Sequence, residues 1–355
     1  EVHRNGGPLT IVKELRDIAD KYLNTNDVFI PESFRKDFLD SKSFDTKELY
    51  QNTGWDIFWA QEMVAAMMKI GIEGGKYDEY LPGRFLHYDL IAHYITSLFS
   101  GNNGTGISNK EILELGSGSG IGDIRLAAHP RYARVTGLDK SIMAVRFGEY
   151  LAEHYGVSDR VTFEQGDYLK TGMDSVKFDA TYSSGTFEHL RQRDAKMLLD
   201  EMIRVTDDGG HIIITIPNDG SSFYKSFKDN EGSTKKEYPG IVEIPVEHTR
   251  NHPDIKRLMV EANLINIRED GILVAPSSYI KHGDINRNDL ETFNYLPEQR
   301  DPLSVENKIA QWTTFELVHT DPSFRIRYGW SLIYSGEKSS SNGNITHLPE
   351  NLISG

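Results

Sequence analysis

The sequence predicts an α/β fold with a mostly parallel sheet, a last strand that runs antiparallel, and a helical segment in front. Three observations lead to this expectation. Apolar strands alternate with helical stretches between residues 111 and 218, which is typical of a parallel sheet with helices on both faces. Residues 1–104 have helical periodicity, and the final strand follows a long insertion without a crossover helix of the earlier kind.

Residues 1–104 are expected to form a helical N-terminal cap. Apolar side chains keep near-helical spacing in PLTIVKELRDIADKYL (8–23), in the stretch from DTKELY to MMKIGI (45–72) and in FLHYDLIAHYITSLF (85–99). Glycine and asparagine then cluster in SGNNGTGISN (100–109). Such clusters separate elements, so a boundary is predicted there.

The core is expected over residues 105–338. Its strands are predicted at EILEL (111–115), ARVTGLD (133–139), VTFEQGD (161–167), FDATYSS (178–184) and GHIIITIPN (210–218). Further along the chain, a helix is predicted at 255–263, an extended segment at 265–276, and a strand over 324–338 that closes the sheet edge. Lid insertions are expected near 219–250 and 277–322, and 339–355 is predicted to be a polar tail.

Composition limits the function classes. The 355 residues include 53 acidic and 39 basic side chains, giving a formal net charge of −14, and no cysteine. Cysteine chemistry and disulfides are therefore excluded, and a nucleic-acid partner is disfavoured because phosphate binding relies on lysine and arginine. With no apolar run of membrane length and no apolar signal core, we expect a cytoplasmic protein without membrane contact.

The first strand runs directly into the glycine-rich turn GSGSG (116–120). A strand that ends in such a turn is typical of a nucleotide site. A triphosphate loop is excluded because no GK pair follows, and the dinucleotide pattern GxGxxG fails because Ile121 and Asp123 occupy the third-glycine positions. On these residues alone, a tight turn without a ligand stays an alternative.

Polar side chains follow the next strands at the same sheet edge. Asp139 ends the second strand, 19 residues after Gly120, where an acid can accept ribose hydroxyls. Asp167 ends the third strand, and Ser183 lies at the end of the fourth. Ligands of open parallel sheets bind outside the carboxyl ends of the strands, so these side chains predict one nucleoside site.

In this order the motifs resemble those of the class I S-adenosylmethionine-dependent methyltransferases. ELGSGSG matches the first motif of that family, VTGLDKS resembles its ribose-binding acid motif, and EQGDYL resembles its adenine-side motif. The segment EHL is most similar to small-molecule enzymes of the ubiquinone-biosynthesis O-methyltransferase group. The resemblance covers about residues 108–338 and implies a Rossmann-like, seven-stranded sheet with S-adenosylmethionine as cofactor.

The resemblance also implies the cofactor-binding residues. They are Glu114, Gly116, Ser117, Gly118, Gly120, Asp139, Lys140, Asp167, Tyr168 and Ser183. Backbone N–H groups of residues 116–120, at a helix start, are expected to receive the cofactor's carboxylate. Glu114 is expected either to order the turn or to meet the methionyl ammonium.

His189 and Glu188 are the candidate catalytic pair. His189 follows the fourth strand, and histidine as a residue type is suited to proton transfer near neutral pH, so it could take a proton from the acceptor, while Glu188 could bind an acceptor amine. A surface histidine, with methyl transfer by proximity alone, is the alternative. The related enzymes have a metal-site glutamate where this chain has Gly185, so no metal is predicted.

The acceptor is expected to be a small molecule, methylated at oxygen, nitrogen or carbon. Candidate substrate or lid residues precede the core: Tyr77, Tyr80, Arg84 and His87. A macromolecule methyltransferase acting on tRNA or protein, and a non-catalytic cofactor-binding scaffold, remain the alternatives. A homodimer is open, because helical caps often form dimer surfaces.

Overall fold

The computed structural model describes residues 82–99, 109–128, 133–221, 254–274 and 320–339. It also describes the single residues Trp55, Phe58, Trp59, Glu62, Met63, Ala66 and Glu316. The rest of the predicted cap, most of both predicted insertions and the polar tail lie outside the described residues. Tyr77 and Tyr80 lie outside them as well.

A seven-stranded sheet forms the centre of the molecule. Its strands are β1 (Glu111–Leu115), β2 (Arg134–Asp139), β3 (Val161–Gln165), β4 (Phe178–Ser184), β5 (Thr206–Pro217), β6 (Ile265–Ile272) and β7 (Ser331–Glu337). They lie in the order β3-β2-β1-β4-β5-β7-β6. Strands β1 to β5 pair in parallel, and β7 runs antiparallel to both β5 and β6. The predicted fold class is confirmed.

Six helices connect or cover these strands in the described residues. They are α1 (Pro82–Leu98), α2 (Ile121–Ala128), α3 (Ile142–His154), α4 (Gln192–Val205), α5 (Ile255–Glu261) and α6 (Pro322–Tyr328). A single 3-10 turn, Phe187–His189, follows β4. Side-chain caps start three of the helices: Ser141 Oγ accepts from Ala144 N–H, Asp254 accepts from Arg257 N–H, and Asp321 accepts from Phe324 N–H.

The sheet separates two apolar cores. Alternation along β1 directs Ile112 to one core and Leu113 to the other, as expected when both faces are covered. Phe85 and Ile91 of α1 are buried in the same core as Ile112, where α1 packs against α2. Helix α1 is thus packed into the same apolar core as the sheet. The predicted division into domains at 104/105 stays a prediction.

The chain before β7 differs from the prediction of one long strand over 324–338. Residues 322–328 form helix α6 because Asp321 caps its start by accepting from Phe324 N–H, and Pro322 occupies the first turn. The strand begins only at Ser331. It also lies between β5 and β6, so β6 rather than β7 forms the sheet edge.

No helix within the described ranges has the length and apolar content that a membrane span would need.

Candidate functional site

The turn after β1 depends on glycine. Gly116, Gly118 and Gly120 have φ angles of +84°, +51° and +70°, in the left-handed region that disfavours side chains. Neighbours also approach closely. A Cβ atom added to Gly118 would lie 2.5 Å from a ring carbon of Trp59, and one added to Gly120 would collide with Phe163. The turn is therefore a tight cradle at the carboxyl end of β1.

Hydrogen bonds to β2 hold this turn in place. The N–H groups of Gly116 and Ser117 donate to Leu138 O at 2.8 and 3.1 Å, and Gly118 N–H donates to Asp139 Oδ2 at 2.9 Å. Gly120 N–H donates to Ser117 O. These four donors already have acceptors. They brace the turn, and the expectation that the turn receives a ligand carboxylate stays a prediction.

Asp139 lies at the centre of this bracing. It is 8% exposed, and its Oδ1 accepts from Ser141 N–H at 2.8 Å while Oδ2 accepts from Gly118. Asp139 thus orders the turn.

Three more predicted residues lie beside Asp139 at the ends of β2 and β3. Lys140 Nζ is 3.0 Å from Asp167 Oδ1 and 4.5 Å from the centre of the Tyr168 ring. Burial, followed by the charges of Asp139 and Asp167, raises the pKa of Tyr168 to about 12. Asp167 itself is exposed. These four residues lie together at one side of the candidate site.

Ser183 lies apart from them. Its hydroxyl is 1% exposed and donates to Leu115 O at 2.7 Å. This bond ties β4 to the end of β1. The hydroxyl hydrogen of Ser183, a predicted cofactor residue, is therefore donated within the protein, and Ser183 holds the end of the strand from which the glycine turn starts.

The loop after β4 packs against the glycine turn. A Cβ atom added to Gly116 would collide with Thr186 Oγ1. Glu188 is buried and His189 is half-buried on the 3-10 turn that follows. Gly185 has a φ of +72°, in the left-handed region that favours glycine. The two candidate catalytic residues thus lie next to the cradle.

Sequence reasoning missed an aromatic wall in front of this loop, formed by Trp55, Phe58 and Trp59. The Trp55 ring meets the His189 ring edge to face, with centroids 5.0 Å apart at 78°. Trp55 and Trp59 stack at 6.5 Å, and Phe58 meets Trp59 at 4.8 Å. Two tryptophans four residues apart were the available signal, because they share a helix face.

A buried acid pair below the turn was missed in part. Glu114 was predicted as a site residue, but its partners Asp123 and Tyr182 were not. The Tyr182 hydroxyl lies 2.8 Å from both Glu114 Oε2 and Asp123 Oδ1. Burial, then the Asp123 charge, raises the pKa of Glu114 well above its usual range, and burial raises the pKa of Asp123 to about 7. The available signal was an acid flanked by isoleucines and glycine in IGDI.

Helix α1 supplies the two described lid candidates. Arg84 pairs with Glu62 at 3.0 Å, which joins α1 to the segment that carries the aromatic wall. His87 is half-buried, and burial lowers its pKa to about 4, so its ring is neutral at pH 7. Burial, followed by the charge of Glu114, raises the pKa of the next residue, Tyr88. Helix α1 therefore borders the acid pair.

In the part of the chain that the structure describes, no group of three or more His, Asp or Glu side chains could hold a metal ion. The absence of a required metal remains a prediction.

Comparison with known proteins gives three findings. Residues 112–210 match the family model described as a methyltransferase domain. A probable tocopherol O-methyltransferase of Oryza sativa subsp. japonica is 32% identical over 105 residues, covering 30% of this chain and 28% of that protein. A demethylmenaquinone methyltransferase of Porphyromonas gingivalis is 31% identical over 104 residues, covering 29% of this chain and 42% of that protein. Less than two thirds of either relative's length is therefore covered.

Solved structures include a phosphoethanolamine N-methyltransferase 2 of Haemonchus contortus in complex with S-adenosyl-L-methionine. Its similarity has a TM-score of 0.42 at 17% identity and covers 70% of this chain and 52% of that chain.

The residues matched by the family model run from β1 into β5. They contain the glycine turn, Asp139, Asp167 and His189. The predicted resemblance is confirmed, and S-adenosylmethionine is the cofactor of the class. Residues 112–210 of this chain therefore match a methyltransferase domain, in line with the predicted resemblance to the class I S-adenosylmethionine-dependent methyltransferases.

Proposed function

We propose that this protein transfers a methyl group from S-adenosylmethionine to a small-molecule acceptor. One observation carries the proposal: the glycine turn is braced on Asp139 and packed against the loop that holds Glu188 and His189. A nucleoside-binding acid and a candidate base therefore flank the same cradle. This is the arrangement that a two-substrate transfer requires.

The residues present fit the cofactor. The left-handed glycines keep side chains out of the cradle, and Asp139 at the end of β2 supplies a carboxylate where an acid can accept ribose hydroxyls. Among the described residues, buried Glu114 Oε1 and Ser117 Oγ have no hydrogen-bond partner. Buried polar atoms seldom remain unpaired, and these two would suit a cationic, hydrogen-donating group.

When bound, S-adenosylmethionine supplies an electrophilic methyl group attached to a sulfonium. The protein has to hold the acceptor nucleophile in line with that methyl group at about 3 Å. We assign the nucleoside to Asp139 and Asp167, the proton of an acceptor hydroxyl or ammonium to His189, and an acceptor amine to Glu188. Proton removal frees the lone pair that attacks.

The aromatic wall supports a flat, largely apolar acceptor. Trp55 lies against His189 and stacks with Trp59, so an acceptor that reaches His189 would contact tryptophan faces. The two curated relatives carry the names of small molecules, tocopherol and demethylmenaquinone. Together these points favour a small acceptor over RNA or protein.

Calorimetric titration tests cofactor binding. S-adenosylmethionine and S-adenosylhomocysteine should both bind, whereas NAD should not. Asp139→Ala is expected to weaken binding at least about fivefold, or more than about 1 kcal/mol, because it removes hydrogen bonds made to a charged group. Asp200→Asn is the matched control, since Asp200 lies on α4 in an exposed pair with Lys196.

Turnover separates the proposal from its alternatives. Labelled methyl groups should enter small molecules of a cell extract, and His189→Gln should slow this transfer while leaving S-adenosylhomocysteine affinity unchanged. Incorporation only into RNA or protein would favour a macromolecule methyltransferase. Binding without any transfer would favour a scaffold. The homodimer and the absence of a nucleic-acid partner remain predictions.

A further inference from the structure

The residues that the structure describes between 55 and 66 form one helical face. All six are helical and follow the i, i+3, i+4, i+7 spacing of such a face: Trp55, Phe58, Trp59, Glu62, Met63 and Ala66. Met63 and Ala66 are at most 1% exposed and belong to the apolar core that contains Ile112. This face is therefore anchored in the core at one end and forms the aromatic wall at the other.

Trp59 packs on the glycine turn. A Cβ atom added to Gly118 would lie 2.5 Å and 2.8 Å from two ring carbons of Trp59, so the indole lies directly against the turn. The Trp59 ring also contacts Phe147 of α3, with centroids 6.5 Å apart. On the same helical face, the Glu62 carboxylate pairs with Arg84 of α1. The position of the wall is thus set by contacts with the glycine turn and with two helices.

The backbone alone does not fix the orientation of the His189 ring. His189 ends a 3-10 turn of three residues, Phe187–His189. Its N–H donates to Thr186 O at 3.1 Å, and Leu190 N–H donates to Phe187 O at 3.1 Å. These bonds hold the main chain of the turn. The imidazole can still rotate about two side-chain bonds, and the second torsion has a broad preference, so its orientation depends on neighbouring side chains.

Trp55 is such a neighbour. Its ring meets the His189 ring at 78°, with centroids 5.0 Å apart, and aromatic pairs favour this edge-to-face arrangement. Trp55 is itself held by two rings of the wall: Phe58 meets it at 89° and 5.8 Å, and Trp59 stacks on it at 20° and 6.5 Å. The contact with His189 is therefore made by a ring whose own place is fixed, and it links that place to the glycine turn.

We propose that Trp55 is a positioning residue, which holds the His189 imidazole where a ring nitrogen can take the proton of the acceptor. This inference rests on the proposed function. The acceptor O–H or N–H bond breaks, the proton passes to the lone pair of the imidazole nitrogen, and the acceptor keeps the electron pair with which it attacks. Because Trp59 packs on the glycine turn, the base is placed relative to the cofactor as well. A misplacement of about 1 Å in such an arrangement can slow a reaction about 100-fold.

A double-mutant cycle tests whether Trp55 acts through His189. The probe is the small-molecule fraction of a cell extract with methyl-labelled S-adenosylmethionine. Initial rates at increasing extract concentration give a limiting rate and a half-saturating concentration. His189→Gln should lower the limiting rate about 100-fold. Trp55→Leu should lower it about 10-fold, and Trp55→Phe, which keeps an aromatic ring, should restore it to within about threefold. In the His189→Gln protein, Trp55→Leu should not lower the limiting rate further.

The chain offers a matched control. Phe99 and His211 form another edge-to-face pair, with centroids 5.0 Å apart at 83°. Lys110, which directly precedes β1, lies 5.5 Å from the centre of the Phe99 ring, so this pair is at the amino edge of the sheet, opposite the glycine turn. Phe99→Leu removes the same kind of contact and should leave the limiting rate unchanged. Calorimetry with S-adenosylhomocysteine shows whether each variant still folds and binds.

Nuclear magnetic resonance gives a second measurement that needs no Trp55 variant. The His189 imidazole signal, identified by its loss in His189→Gln, should be displaced from that of an exposed histidine by the ring current of Trp55. A His189 signal at the position of an exposed histidine overturns the inference.

The kinetic outcomes separate the inference from the proposed function. Equal slowing by Trp55→Leu with and without His189, or a change confined to the half-saturating concentration, overturns the inference and leaves the proposed function standing. Transfer at an unaltered rate in His189→Gln removes both the assigned base and its positioning residue. If no labelled methyl group enters small molecules, the proposed function and the inference both fail.

Discussion

Two groups of buried carboxyls in this protein have opposite surroundings. In the β6–α6 region, Asp270 receives a two-pronged contact from Arg325, with Nε at 2.9 Å and Nη2 at 2.6 Å. Glu316 accepts Leu273 N–H at 2.7 Å and Val274 N–H at 3.2 Å. Beneath the glycine turn, Glu114 and Asp123 share one tyrosine hydroxyl between them.

The difference lies in the partners, since Glu316 is buried like the acid pair and the Asp270 side chain is only 15% exposed. Burial raises the pKa of Glu316 to about 7, although its two N–H donors act in the other direction, and burial raises the pKa of Asp123 to about 7 as well. A raised pKa therefore does not distinguish the two regions. A complete set of donors marks a structural acid, whereas buried acids without one are typical of a ligand site.

The largest effect on stability is expected from breaking the satisfied group. Arg325→Leu leaves Asp270 buried without its partner, because the two side chains are only 9% and 15% exposed. The free energy of unfolding should fall by about 3 kcal/mol or more, as measured by urea denaturation. Arg257→Leu is the matched control: Arg257 and Glu261 are exposed, and the change should be within about 0.5 kcal/mol. Equal effects of both changes would contradict the distinction.

In the acid pair beneath the glycine turn, replacing an acid is expected to increase the free energy of unfolding instead of lowering it. Between pH 4 and 7 folded Asp123 holds a proton that the unfolded chain has lost, so this group's contribution to stability declines as pH rises. Asp123→Asn removes the decline. At pH 8 the variant should be more stable than the unaltered protein by about 1–2 kcal/mol, and near pH 4 this gain should vanish.

Thermal or urea unfolding at the two pH values checks this prediction. A variant that is less stable at pH 8 would show that Asp123 contributes structure in the way that Asp270 does. A gain at pH 8 would instead mean that the native sequence tolerates a destabilising acid at the site, as proteins commonly do where residues serve function.

The sheet could be predicted because its information is local. EILEL and FDATYSS are short apolar runs bounded by turns, and both became strands over the predicted residues. The stretch FRIRYGWSLIYSGEK was wrongly predicted as one strand, because its apolar residues continue across the end of helix α6 at Tyr328. Asp321 and Pro322, which start helix α6, precede that stretch and were the local signals that outweighed its pattern.

The site was predictable only where an ordered motif exists. Gly116, Gly118, Gly120 and Asp139 lie together as expected because the strand-end rule brings them together. The acid pair depends on contacts between residues 59 and 68 positions apart, joined by Tyr182. The contact of Trp55 with His189 joins the cap to the core. No periodicity within a single element encodes such pairings.

Another acid, Glu201, has a complete set of donors but a partly exposed partner, Arg204, and should show the smallest effect. Arg204 contacts both its oxygens at 2.8 Å, and Thr171 donates from its N–H and its hydroxyl. The Arg204 hydrogen bonds, followed by those from Thr171, lower the pKa of Glu201 to about 2. Because the pKa is depressed, its stabilisation is complete above about pH 4.3 and disappears as pH falls toward 2. Glu201→Gln should therefore cost about 1 kcal/mol at pH 7 and almost nothing near pH 2, in urea unfolding at both pH values. A cost that is equal at the two pH values would mean that packing, rather than charge, accounts for the role of Glu201.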